Sequence, residues 1–214
     1  MTLREREDQI FGKYRLMGEE IISDGALVEE YETARLRLLV ILKEPNDSTG
    51  NWAKSKGDMR SYGAAGGRAA TWNNLARWSA LLGNPLLRIE EIDVSDREMR
   101  TKHLRRTAVV NLKKTAGCGT ADMRKIEKYA IEHRDLLREQ LKLYKPALTI
   151  AGGTFDILTK LRRGTVVLQE GERFPYFEDK DLGVCVSFYH PQQRQFSGRQ
   201  LFHFLGIQLR YHKL

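Results

Sequence analysis

Glu44, Asn111 and His190 each follow a short apolar run, residues 36–42, 108–110 and 184–189. Their chemistry is complementary. A carboxylate takes a proton from water, an amide offers one donor and one acceptor edge, and an imidazole donates a hydrogen bond to an oxygen that gains charge. A fourth run, 148–150, ends in Ala151-Gly152-Gly153. Runs this short and this rich in β-branched residues predict strands buried on both faces, as in a parallel sheet. Open α/β sheets hold their ligands in the crevice beyond the carboxyl ends of the strands, so the three side chains are expected around one pocket for a polar, ring-bearing substrate. Each has a plainer reading alone: Glu44 as a helix cap or lysine partner, Asn111 as a strand-end amide, His190 as a buried, hydrogen-bonded ring. Their joint placement favours the site.

The elements that would position them alternate. Residues 4–33 are charge-rich, with Ile10, Tyr14, Met17 and Ile21 near helical spacing and glycines at 12 and 18, which predicts one or two helices. Pro45 stops the first strand, and residues 46–70 form a long polar, glycine-rich loop of a length uncommon unless it serves a function. From Thr71, a candidate N-cap, Trp72, Leu75, Trp78 and Leu82 repeat at helical spacing up to Gly83-Asn84-Pro85, and those tryptophans read as core. The arginines and lysines of residues 86–106 line either a solvated or a phosphate-facing surface. A long amphipathic helix is expected over 121–144, with Ile126, Ala130, His133, Leu137 and Leu141 on one stripe and His133 therefore packed. Residues 166–168 and 174–177 suggest a hairpin inserted over 165–178, and a last helix from Ser197 turns Leu201, Phe204 and Leu205 inward. The expectation is a single α/β domain over 1–214, three-layer α/β/α, with a central four-stranded parallel sheet and a helical segment over 1–35.

Composition narrows the partners. The chain has 214 residues with 36 Lys and Arg against 28 Asp and Glu, a net charge of +8, which favours polyanions such as nucleic acid. Two cysteines, Cys118 in a turn and Cys185 in an apolar run, make no disulfide framework and have no metal-ligand spacing, so a reducing cytoplasm is expected and Cys185 reads as core. No apolar run approaches the length of a membrane span, and the amino-terminal stretch has no apolar targeting core.

In order and spacing over residues 36–205, this layout resembles the uracil-DNA glycosylase superfamily. Lys43-Glu44-Pro45 stands where that family has its Gly-x-Asp/Asn/Ala-Pro motif, and His190-Pro191 where it has His-Pro-Ser. Residues 109–114, Val-Val-Asn-Leu-Lys-Lys, look like the strand ending in a base-reading asparagine, and residues 145–154 like the third strand and its glycine turn. The chain departs from the pattern at Leu42 in place of the leading glycine, at Asn46 in place of Tyr or Gly, and at Gln192 in place of the serine; these changes bear on which base is bound. The resemblance implies a four-stranded parallel sheet and cleavage of an N-glycosidic bond in DNA. It implies no iron-sulfur cluster, since the four cysteines of that branch are absent, and neither metal nor other cofactor is expected.

Under that resemblance Glu44 orients and deprotonates water beside an oxocarbenium-like sugar, and His190 donates to a base oxygen. Glu44 is one methylene longer than Asp. Asn111 reads the edge of a pyrimidine, Pro45 and Asn46 complete the base pocket, and Tyr62, with Trp52 second, stacks on the extruded ring. Lys54, Lys56, Arg60, Lys113, Lys114, Arg194 and Arg199 are the expected backbone grips, though loop lysines are more often only solvated. Gln193 or Arg194 would wedge into the duplex. The partner is therefore DNA, single- or double-stranded, for a monomeric protein; a glycosylase fold that binds DNA or a modified base without turnover, and an enzyme on small nucleosides, are the alternatives.

Overall fold

The structure, a computed structural model, describes residues 1–46, 57–64, 70–117, 119–162, 167–170 and 173–214. Leu38–Leu42 forms β2, Thr107–Asn111 β3, Leu148–Gly152 β4 and Gly183–Phe188 β6. These four are mutually parallel, and the first three are buried at every position, as their unbroken apolar character requires. Two strands absent from the expected sheet complete it. Gly25–Ala26, β1, pairs antiparallel with β3, and Tyr176–Asp179, β5, pairs antiparallel with β6. The order is β1-β3-β2-β4-β6-β5, so the sheet is six-stranded and mixed rather than four-stranded and parallel. Residues 174–177 were expected to pair with 166–168; Val166 and the turn at 171–172 lie outside the described residues, and among the described residues an antiparallel bridge joins Gln169 to Tyr176 while β5 pairs along β6.

Side-chain alternation along β2 divides the core between two faces. Leu38, Val40 and Leu42 meet Trp72, Leu75 and Trp78 of α3 (Ala70–Gly83) and Leu201 and Leu205 of α8 (Gly198–Tyr211). On the other side Leu39 and Ile41 meet Ile126 and Ala130 of α5 (Met123–Glu132), Leu137 and Leu141 of α6 (Arg134–Leu141) and Leu158 of α7 (Phe155–Leu161). Cys185 lies fully buried on this face. Each such aliphatic side chain contributes about 1.5–3 kcal/mol on burial. Three more α-helices, α1 (Leu3–Leu16), α2 (Met59–Ala64) and α4 (Arg97–Leu104), and two short 3-10 helices, Glu29–Thr33 and Ile89–Glu91, complete the described elements.

The single helix expected over 121–144 is two helices meeting at His133, whose φ of −102° and ψ of 21° leave the helical range. His133 is buried against Tyr129 and Tyr14, with ring centroids 4.2 and 5.2 Å away, and its Nε2 lies 3.5 Å from Glu19. Seating that ring against α1 opens the backbone where neither proline nor glycine would have announced a break. Among the described residues no helix is long and apolar enough to cross a membrane.

Candidate active site

Register decides what meets at the carboxyl end of the sheet. Leu42 lies opposite Asn111, and Gly152 opposite Phe188, so β2, β3, β4 and β6 finish at one level and their following residues share one edge. Beyond that edge β2 and β3 stay zipped: Leu112 N–H donates to Leu42 O (2.9 Å), Lys113 N–H to Lys43 O (3.0 Å) and Gly117 N–H to Pro45 O (2.8 Å). This pairing brings Lys113 Nζ to 2.7 Å from Glu44 Oε2, where it also donates to the carbonyls of Thr115 and Ala116. Glu44 is held at 12% side-chain exposure. Pro45 is buried beside it; Asn46 is exposed and accepts from Gly119 N–H through Oδ1 at 3.4 Å.

Gly117 is the wall behind the carboxylate. A Cβ there would lie 2.1 Å from Glu44 Cδ and 2.3 and 2.6 Å from its two oxygens. Gly117→Ala is therefore expected to push the carboxylate out of place. Because the clash is with the free end of a flexible side chain, stability should change by less than about 1 kcal/mol. Thermal melting checks this: the melting point should hold.

On the other side of β2, the Gly153 turn draws β4 and β6 together. Gly153, at φ +71°, donates its N–H to Phe188 O (2.9 Å), and Thr154 Oγ1 donates to Ile41 O (2.8 Å). A Cβ on Gly153 would lie 3.2 Å from Lys43 Cε, so the turn leaves just enough room for the lysine stem. Lys43, which sequence reasoning passed over although it adjoins Glu44, thus lies between β2 and β4. His190 follows β6. Its Nδ1 accepts the N–H of Gln192 at 3.1 Å, which leaves Nε2 as the protonated nitrogen of the neutral ring. Burial, aided by the positive charge of Lys43, holds its pKa down at about 4.

The edge therefore presents a carboxylate after β2 and a neutral imidazole N–H after β6, with β4 and Lys43 between them. Adjacent strands lie about 4.8 Å apart, so the backbone ends of β2 and β6, with β4 between them, lie roughly 10 Å apart; the Glu44 carboxylate itself turns toward Lys113 and Gly117 on the β3 side. Cavities of about 430 Å³ beside Gly183 and 470 Å³ between α3 and α8 contain neither Glu44 nor His190.

Several expected site residues have other roles. Asn111 is 1% exposed and turned into the protein, its backbone N–H 2.6 Å and its Nδ2 3.3 Å from Asp24 Oδ2, with Met59 Sδ at 3.7 Å. Lys114, expected on a phosphate, is fully buried with Nζ 2.8 and 2.9 Å from the two Asp24 oxygens. Arg60, expected likewise, is buried and paired with Glu7 (2.9 Å), Asp8 (2.8 Å) and Asp58 (2.9 Å). Gln140 donates to Asp24 at 2.9 Å, and Ala26 N–H to Glu7 at 2.8 Å. Asp24 and Glu7 are enclosed carboxylates, and enclosed charges require close partners, which is why these cations and this amide face inward. Burial raises the pKa of Glu7 and lowers that of Lys114, the latter opposed by Asp24. One signal was available: Glu7 lies on the buried stripe of α1 with Leu3, Ile10, Phe11 and Tyr14.

Tyr62 on α2 is 43% exposed, its ring 5.9 Å from that of Trp72. Gln193, expected as a wedge, closes its own loop: Oε1 accepts Phe196 N–H (2.9 Å) and Nε2 donates to Phe196 O (2.7 Å). Arg194 is exposed, and Arg199 is exposed and paired with Glu90. Trp52, Lys54 and Lys56 lie outside the described residues. Neither the protein-family models nor the curated proteins contain a match to this chain.

Proposed function

We propose that this protein hydrolyses the N-glycosidic bond of uracil or another altered pyrimidine presented from DNA. The supporting observation is that Glu44 and a neutral His190, its Nδ1 engaged by Gln192 N–H and its Nε2 carrying the proton, follow parallel strands that end at one edge of the sheet. In the reaction the C1′–N bond breaks with its electron pair going to the base, while water adds to C1′ and gives up a proton. Glu44 orients that water and accepts the proton. The His190 Nε2–H hydrogen-bonds a base oxygen as negative charge develops there. The exposed ring of Tyr62 is the stacking surface for the extruded base.

A panel of oligonucleotides carrying different altered bases, scored for alkali-labile abasic sites, tests this directly; no cleavage of any member would sink it. On an active substrate the acid limb assigned to His190 should fall at about pH 4, because the neutral imidazole is the working form and protonation removes it only below its depressed pKa. Measurement of kcat/KM against pH checks the limb. A fall centred between pH 6 and 7 would contradict a neutral donor.

The inward-facing amide of Asn111 favours a second reading, a fold of this type that binds DNA without turnover. Salt-dependent binding with no product across the whole panel would select it.

A further inference from the structure

Arg77, on α3, is a partly buried cation that the structure leaves unbalanced. Its NH1 donates to Asn74 Oδ1 at 3.2 Å, its Nε is buried without a hydrogen-bond partner, and no carboxylate pairs with it among the described residues. Burial alone pulls its pKa down. Composition explains the isolation, since residues 59–89 contain no Asp or Glu and neither do residues 182–214. Arg77 lies where those two stretches meet: a Cβ on Gly198 would be 2.9 Å from its NH1 and equally close to Asn74 Oδ1. With its Nε enclosed and unbonded, the half-buried Arg77 guanidinium is only partly solvated and has no counter-charge among the described residues, which favours an anionic ligand at its open side.

The loop above Arg77 is already built. Gln193 N–H donates to His190 O at 3.0 Å, the Gln193 amide closes on Phe196, and Ser197 caps α8. Asn74 Nδ2 fastens the start of the loop by donating to Pro191 O at 2.7 Å, and Gly198 rests on Arg77 at its end. The loop that begins at His190 and exposes Arg194 is thus seated on Asn74 and Arg77.

We propose that Arg77 and the 190–198 loop bind a phosphodiester of DNA, the one adjoining the nucleotide presented to His190. The anion site stands on the surroundings of Arg77; the choice of a DNA phosphate as its occupant rests on the glycosylase reading.

Fluorescence anisotropy with labelled single- and double-stranded oligonucleotides, titrated across a range of salt, tests the site. Arg77→Met should weaken binding about tenfold, uniformly over sequences, and reduce the slope of log K against log salt on duplex by about 0.9, the contribution of one phosphate. Arg77→Lys should keep the slope. The melting point of Arg77→Met should not fall, because an unbalanced charge has been removed; a purely structural arginine predicts the opposite. Unchanged affinity and slope in Arg77→Met, or wild-type protein that binds no oligonucleotide, would overturn the proposal. Arg77-dependent binding of inorganic phosphate with Arg77-independent binding of oligonucleotide would also overturn it, by reassigning the site to the free ion. Arg77-dependent oligonucleotide binding without excision of any base would sustain the site and end the glycosylase reading, whereas excision with binding untouched in Arg77→Met would end the site alone.

Discussion

Asp24→Asn is expected to destabilise the protein by about 3–5 kcal/mol, the cost of leaving a buried charge without its partner. Asp24 is fully enclosed, with Lys114 Nζ 2.8 and 2.9 Å from its two oxygens and further donors from Asn111 and Gln140. An asparagine retains one acceptor for those donors and leaves the Lys114 ammonium stranded. Urea unfolding, extrapolated to water, gives the value. The double variant Asp24→Asn with Lys114→Met should recover much of the loss, because an apolar side chain in that space strands no charge. A single-variant loss below about 1 kcal/mol would mean that water reaches the ammonium.

The second large effect is on rate. Glu44→Gln and His190→Ala should each lower single-turnover excision by about 10²–10³-fold, the usual effect of removing a positioned base or a donor to developing charge. Neither should unfold the chain. Glu44 makes its one described side-chain bond to Lys113, and His190 its own to the N–H of Gln192. Together the two substitutions should cost less than the product of their separate effects, since the groups act on one transition state. Loss of excision in His190→Ala with full activity in Glu44→Gln would leave the imidazole as the working group and return Glu44 to a simple lysine partner.

The four parallel strands, the tryptophan helix α3 and the last helix were legible in the sequence, because each is a run of local periodicity whose burial follows from its own residues. Leu38–Leu42 is apolar at every position and is buried at every position. The residues that follow these strands were legible for the same reason, since a parallel sheet ends all its strands at one edge. The direction of a side chain at that edge was not. Asn111 and Glu44 both follow apolar runs, yet one faces Asp24, far earlier in the chain, and the other faces Lys113.

Charge burial lay furthest from local reading. Arg60 and Lys114 have the composition and setting of loop cations, and only the arrival of Glu7 and Asp24 from α1 and the β1 segment makes them internal. The edge strands β1 and β5 are short and acquire their identity from β3 and β6. By itself the sequence determined the alternating α/β plan, the helix faces and which residues end each parallel strand, all consequences of spacing along the chain. Tertiary structure alone decided which charges are enclosed, which way Asn111 turns and where the helix breaks at His133, because each depends on partners brought near only when the sheet closes its layers.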